Sequence, residues 1–526
     1  MDELRSASGR VDGSETGGQT WSWPKNPTAA LTVMGFVGMS AVAMAAALVG
    51  PHGPTSTWLE RDVVNWLPAG TAGTVLGIVA LSFGLALVVT AWIVLGLLLR
   101  RGAALRPLVR IAALWSLPLM LGPPIYSRDV YSYAALGDMV NHHLSPYKGG
   151  PALLGSSRFV LPVSSVWLHT PSPYGPLFLS LASTAVRVAG NDVVRAVITL
   201  RLLEVLGMVL IAVSLPTLAN AAGKDPARAL WLGVCNPLVL LHFIAGAHND
   251  ALFVGLIVGG LALVYSDRPG LGVVACVLAT AVKATGAIGV AFVIMHAVRA
   301  SPPGTRLRTF VRLTGLGAGA FVLATWVTGI GWGWIGALSI PGSTHVLLTP
   351  SLALAQVISN VIGHNALVVS ATGALGYLTM GAGITFLLWR APKLGTTRAC
   401  GLALALVVAA GPVVFPWYAL WAVIVLAPAG RRIERGYAIF ASVVLTLVLE
   451  PSGSAMPNIV LIAAVGLLAA VAIATMLPPV RRWIRNELAP AIDEYRRSGR
   501  RDQLIGAARR VLVYRPAVAA REAPVA

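Results

Sequence analysis

Residues 72–99 read AGTVLGIVALSFGLALVVTAWIVLGLLL, twenty-eight positions without an ionisable side chain, and they run into Arg100-Arg101. As a helix rising 1.5 Å per residue, this run exceeds the roughly 30 Å hydrocarbon thickness of a bilayer. Inside a bilayer no water satisfies backbone N–H and C=O groups, so a helix is the form such a run must take. The arginine pair marks the end held on the cytoplasmic side.

Working outward, comparable runs recur at 29–50, 108–124, 174–190, 195–219, 229–247, 250–266 and 271–298. They continue at 310–330, 365–389, 399–411, 413–428, 436–450 and 456–478. The pattern predicts an all-α, polytopic membrane protein with about 13–14 transmembrane helices, several short or interrupted by Gly and Pro. Composition agrees: of 526 residues, 56% are hydrophobic and only 11% are charged. Soluble domains carry about 25% charged residues, so that class is excluded.

The chain has 39 Lys and Arg against 20 Asp and Glu, a formal charge of +19. This excess does not form a nucleic-acid-binding face. It sits in short loops and a tail, at 100–110, 299–312, 390–398, 431–435 and 481–526. Such clusters orient a membrane protein and touch anionic headgroups, so the expected partner is the lipid bilayer. Cys235, Cys276 and Cys400 lie in apolar runs without CxxC or metal-ligand spacing, as buried structural thiols do.

Residues 1–26 are polar and lack the apolar stretch of a signal peptide. The expected organisation is therefore a cytoplasmic tail at 1–28, a transmembrane domain at 29–478 and a basic cytoplasmic tail at 479–526. This is a multi-pass plasma-membrane arrangement with both termini inside. Placing the arginine clusters inside leaves 125–173 and 331–364 as external loops, both too long to be turns.

Within these loops, 130–143 and 351–362 predict interfacial helices, the first with Tyr131 and Tyr133 at headgroup level. Between 174 and 298 two arrangements are open. Simple alternation puts His248-Asn249-Asp250 on the cytoplasmic side and strands Lys224 and Arg228 outside. The other makes one segment re-entrant and splits 271–298 around Lys283-Ala284-Thr285-Gly286, so that His248, Asn249, Asp250 and Lys283 all face outward.

Carboxylates are scarce enough to inventory. Away from the tails and inner loops they are Glu60, Asp62, Asp129, Asp138, Glu204, Asp250 and Glu450. Glu60 and Asp62 flank Arg61, Glu204 lies one turn from Arg201, and Glu450 has no polar company. Asp129 and Asp250 are the best-placed acids, with Asp138 a third. Asp129 either caps the following helix or acts as a partly desolvated base, and one geometry serves both. His142-His143 alone is a weak metal pattern.

His248-Asn249-Asp250 is either a structural knot between helices or part of a polar cavity, and Lys283 in an apolar run calls for an anionic partner. Phe415-Pro416-Trp417-Tyr418 offers rings on which a sugar stacks.

Several segments share an order and spacing with one family: Arg128-Asp129-Val130-Tyr131, Pro171-Ser172-Pro173-Tyr174-Gly175-Pro176, Gly246-Ala247-His248-Asn249-Asp250-Ala251, Lys283 and Phe415-Pro416-Trp417-Tyr418. Over most of residues 30–478 the chain resembles the actinobacterial polyprenol-phosphomannose-dependent α-1,6-mannosyltransferases of lipomannan and lipoarabinomannan biosynthesis. The resemblance implies the GT-C glycosyltransferase fold, with a long first periplasmic loop and the site on the outer face.

It further implies a polyprenyl phosphomannose donor, a phosphatidylinositol-mannoside or lipomannan acceptor, and Asp129 as general base. Many GT-C enzymes carry two acids in that loop; here one Asp stands between Arg128 and Val130. The departure suits a donor with a single phosphate, and neither metal nor cofactor is expected.

One inversion at carbon requires one base, and the phosphate leaving group requires cations, for which Arg128, Lys148, Lys283 and His345 are the candidates. Tyr131, Tyr174, His248, Asn249, Asp250, Trp417 and Tyr418 complete the expected substrate contacts. The rival reading is a lipid or sugar transporter or flippase, which more often shows paired halves with matching broken helices; the sequence has no such repeat. A non-catalytic scaffold does not account for His248–Asp250 and Lys283.

Overall fold

The computed structural model describes residues 27–50, 70–99, 102–190, 192–338, 355, 357–361, 365–411, 414–447 and four positions between 490 and 497. Every regular element among them is a helix. The series opens with α1 (Pro27–Val49), α2 (Gly70–Leu98), α3 (Leu105–Leu121), α4 (Asp129–Asn141), the short α5 (Ser165–Leu168) and α6 (Pro176–Ala189). There follow α7 (Val193–Ala221), α8 (Pro226–Gly233), α9 (Pro237–Val239, continued by a π turn Leu240–Ala245), α10 (Asp250–Tyr265), α11 (Pro269–Val282) and α12 (Ala287–Ala300). Last come α13 (Arg306–Thr328), α14 (Trp334–Ala337), α15 (Asn365–Leu394), α16 (Thr396–Ala410), α17 (Ala419–Leu426) and α18 (Arg432–Leu447).

Five described helices are long and apolar enough to cross a membrane: Thr28–Val49, Gly70–Leu98, Val193–Ala221, Pro303–Thr328 and Leu367–Leu394. The pair Pro226–Gly233 and Pro237–Ala245, bent by 45°, makes a sixth if counted as one span, and shorter apolar helices accompany them. Large apolar side chains such as Phe83, Val213, Trp326 and Leu378 project outward, as a lipid-facing surface demands. The protein is an all-α polytopic membrane protein, as its apolar runs predict. The expected span at 456–478 and most of the helix expected at 351–362 lie outside the described residues; 357–361 are helical.

Lipid tails give helices no hydrophobic reason to associate, so close packing and polar contacts must do so. Helices α7 and α10 cross at glycines, and a Cβ added to Gly255 would sit 2.6 Å from the Gly207 carbonyl oxygen. Trp92 of α2 and Trp231 of α8 stack at 4.8 Å, and each indole donates to the other's carbonyl, at 3.1 and 2.8 Å.

Arg201 of α7, fully buried, donates to the carbonyls of Met120 (3.0 Å), Gly122 (2.6 Å) and Ala245 (2.9 Å). It thereby ties the end of α3 and the π turn to α7. Glu204, one turn on, accepts Leu252 N–H at 3.2 Å near the start of α10.

Two local breaks place polar groups deep in the bundle. The π turn ends at Gly246, Ala247 takes a left-handed φ of 51°, and α10 begins at Asp250. The run at 271–298 is split: α11 ends at Val282, Lys283 is extended (φ −143°, ψ 128°), and a 3-10 turn Ala284–Gly286 leads into α12. Gly175 N–H donates to the Val282 carbonyl at 3.0 Å, docking the start of α6 onto that break.

One expectation is corrected. The helix at 130–143 forms, as α4, but Val130, Tyr131, Tyr133, Ala134 and Met139 are all buried in protein, and the tyrosines do not lie at headgroup level. The reason is α6, which covers α4: Ser183 donates to Asn141 Oδ1 at 2.7 Å, and Gly137 lies against the backbone of Ala182.

Candidate active site

Asp129 opens α4 behind Arg128, and its backbone N–H donates to Ser127 Oγ at 3.0 Å. The helix N-terminus favours its negative charge. Trp167 of α5 donates its indole N–H to Oδ1 at 2.9 Å. His248 Nδ1 stands 3.6 Å from Oδ2, beyond hydrogen-bond reach. Burial pushes the Asp129 carboxyl up to about 6, and the charge of Asp250 adds to the rise. The Trp167 N–H, the Lys283 charge and Ser127 act the other way. A carboxylate in that range is a competent base near neutral pH.

Asp250 opens α10 and is fully buried. Its Oδ1 accepts both Lys283 Nζ and Trp421 Nε1, each at 2.6 Å. The Lys283 ammonium also lies 5.1 Å from the Tyr418 ring, 5.4 Å from Trp421 and 5.8 Å from Tyr174, within cation–π range. Three donors on one ammonium leave capacity beyond Asp250.

Trp417 lies on His248, ring centroids 3.9 Å apart, with Phe415 on Trp417 at 4.5 Å. His248 and Asn249 are fully buried, and neither side chain has a hydrogen-bond partner among the described residues.

Asp129 and Lys283 share a cavity of about 250 Å³. Trp167, Tyr174, Phe415, Trp417, Tyr418 and Trp421 wall it, together with Leu338, Tyr377, Met380 and Val407.

Of the expected site residues, Asp129, Tyr174, Lys283, Trp417 and Tyr418 line this cavity, and Asp250 holds Lys283 from behind. His248 backs Trp417, and Asn249 is its chain neighbour. Arg128 is half-buried and Lys148 exposed; neither belongs to the cavity wall, and Tyr131 is buried in the helix core. His345 lies outside the described residues.

Asp138 serves structure, accepting Ser157 Oγ at 2.9 Å with His142 Nδ1 at 3.3 Å. Among the described residues no three His, Cys, Asp or Glu converge as metal ligands.

Neither indole donor is among the expected site residues. Trp167 sits in a polar loop with no regular period to assign its face. Trp421 follows Trp417 by four residues, the spacing that puts two side chains on one helix face, and that signal was available.

Residues 32–299 match the family model described as alpha-(1->6)-mannopyranosyltransferase, N-terminal domain, and 347–477 match that described as the MptB C-terminal domain. The chain belongs to this family. It is 32% identical over 452 residues to alpha-(1->6)-mannopyranosyltransferase A of Mycobacterium tuberculosis, covering 82% of this chain and 86% of that one. It is 31% identical over 423 residues to alpha-(1->6)-mannopyranosyltransferase B of Corynebacterium glutamicum, covering 71% and 69%. No solved structure matches. The family's first model ends at residue 299, after the Asp129, Asp250 and Lys283 elements, whereas Trp417 and Tyr418 fall under the second.

Proposed function

We propose that the protein transfers mannose from a polyprenyl phosphomannose to a phosphatidylinositol-mannoside or lipomannan acceptor, forming an α-1,6 linkage with inversion, and that Asp129 is the general base. The observation that carries this is the shared cavity: a carboxylate raised to about 6 faces the same space as a lysine ammonium, between aromatic walls.

In the proposed reaction the acceptor 6-hydroxyl gives its proton to Asp129, and its oxygen bonds to mannose C1. The C1–oxygen bond to phosphate breaks, and polyprenyl phosphate leaves with the electron pair. Lys283 is the cation best placed to receive that charge, since the other candidates described lie off the cavity wall. Trp417 and Tyr418 provide faces for the sugar, and the apolar lining from Leu338, Met380 and Val407 suits the lipid chain. Asp129 is one base for one inversion, and no acid is needed for a phosphate leaving group.

Membranes carrying Asp129→Asn, supplied with polyprenyl phosphomannose and an acceptor mannoside, are expected to lose transfer while retaining donor binding. Retained turnover overturns the base assignment, and loss of wild-type activity in EDTA overturns transfer without a metal.

The site is further proposed to face the outer leaflet, because Asp129, Asp250 and Lys283 gather at the end of the bundle opposite Lys393 and Arg398. Cysteines introduced at Lys148 and Lys393 test it: an impermeant maleimide should label the first in intact cells and the second only after permeabilisation. The reverse order sinks the orientation.

A further inference from the structure

A second cavity, of about 280 Å³, lies where α7, α10 and α15 end and α16 begins. Tyr265, at the far end of α10 from Asp250, lines it, which separates it from the Asp129 cavity by about 22 Å of helix. Four cations reach it: Lys224, Lys393, Arg398 and Arg431. Arg398 is matched, since Nε donates to both oxygens of Glu434, at 3.0 and 2.9 Å, and a terminal nitrogen pairs with it as well. Glu434 also accepts the Arg431 backbone N–H at 2.7 Å. The nearby Asp225 is occupied in capping α8 and facing Arg228. Among the described residues, Lys224 and Lys393 have no carboxylate partner.

Two further features border the same space. Helix α16 starts here behind Gly395, whose φ is 85°, with no side chain capping its first turn. Thr397 in that turn is 2% exposed and lines the cavity, and its hydroxyl has no hydrogen-bond partner among the described residues. A buried hydroxyl without a partner is costly, and an uncapped helix start beside unmatched cations is a ready anion seat.

We propose that this cavity is a phosphate-binding site, filled by the headgroup phosphate of an anionic lipid or by free phosphate. Lys224, Lys393 and Arg431 supply charge, while the α16 N-terminus and Thr397 Oγ1 supply oriented donors. No uncommitted carboxylate borders it among the described residues, so it binds rather than catalyses.

The test uses the full chain, purified in detergent and stripped of lipid. Native mass spectrometry with added phosphatidylglycerol or phosphatidylcholine is one arm; thermal unfolding with inorganic phosphate is the other. Wild type should retain phosphatidylglycerol over phosphatidylcholine, or be stabilised by phosphate. Lys393→Gln combined with Arg431→Gln should weaken that binding about tenfold, and Thr397→Val by several-fold. Binding of the lipid alone identifies a headgroup site, and stabilisation by phosphate identifies a free-anion site. The proposal is overturned if wild type binds neither probe, or if Thr397→Val and the double variant both bind as wild type does.

Discussion

Asp129 at the start of α4 and Asp250 at the start of α10 are built alike. Each begins a helix, each is buried, and each accepts one indole N–H, from Trp167 and Trp421 respectively. They differ in the cation. Asp250 holds Lys283 at 2.6 Å and is sealed from solvent, whereas Asp129 has no lysine or arginine within that range among the described residues and opens onto the cavity. The Asp250 oxygen that meets Lys283 is taken up by two donors, whereas the Asp129 carboxylate borders open space that a substrate can enter. The same motif thus yields an anchor at one helix start and a candidate base at the other.

Replacing each acid with its amide breaks the comparison most directly. Asp129→Asn should lower kcat by about a thousandfold, within the range for a lost general base, with the unfolding temperature nearly unchanged. An activity close to wild type would show that the two acids have been assigned the wrong way round. Asp250→Asn instead strands the Lys283 ammonium and should cost about 3 kcal/mol of stability, read by thermal unfolding. If it unfolds like wild type, the ion pair is not an anchor.

Acidity sharpens the contrast. With its carboxyl raised to about 6, Asp129 as the proposed base would act only above that pH, so kcat/KM should fall as pH drops through 6. The loss is about tenfold per pH unit once below it. A profile flat down to pH 5 contradicts the assignment. The smallest effect is expected from Trp167→Phe, which removes one hydrogen bond that stabilises the charged carboxylate. Transfer should fall a few-fold, and the acid limb should move to higher pH, because losing that donor raises the carboxyl further. A limb that stays in place or moves to lower pH argues against Trp167 holding the base.

Much of this molecule is written in its one-dimensional pattern. Uncharged runs such as 72–99 dictate membrane-spanning helices, because a bilayer leaves the backbone no other way to pair its polar groups. The shortage of carboxylates singled out Asp129 and Asp250, and an isolated Lys283 called for an anion. Those readings needed only composition and position.

Tertiary structure decided which of these groups meet. That Lys283 chooses Asp250, that α4 is buried under α6 and not laid on the membrane surface, and that Lys148 stays outside while Trp167 comes in all depend on helix crossings. Those crossings are set by close backbone approach at positions such as Gly207 and Gly255 and by Arg201 gathering three carbonyls. Hydropathy is a property of each segment alone, so the sequence determined that these helices cross a membrane. Partner choice is a property of pairs of segments, and only the packed bundle could determine it.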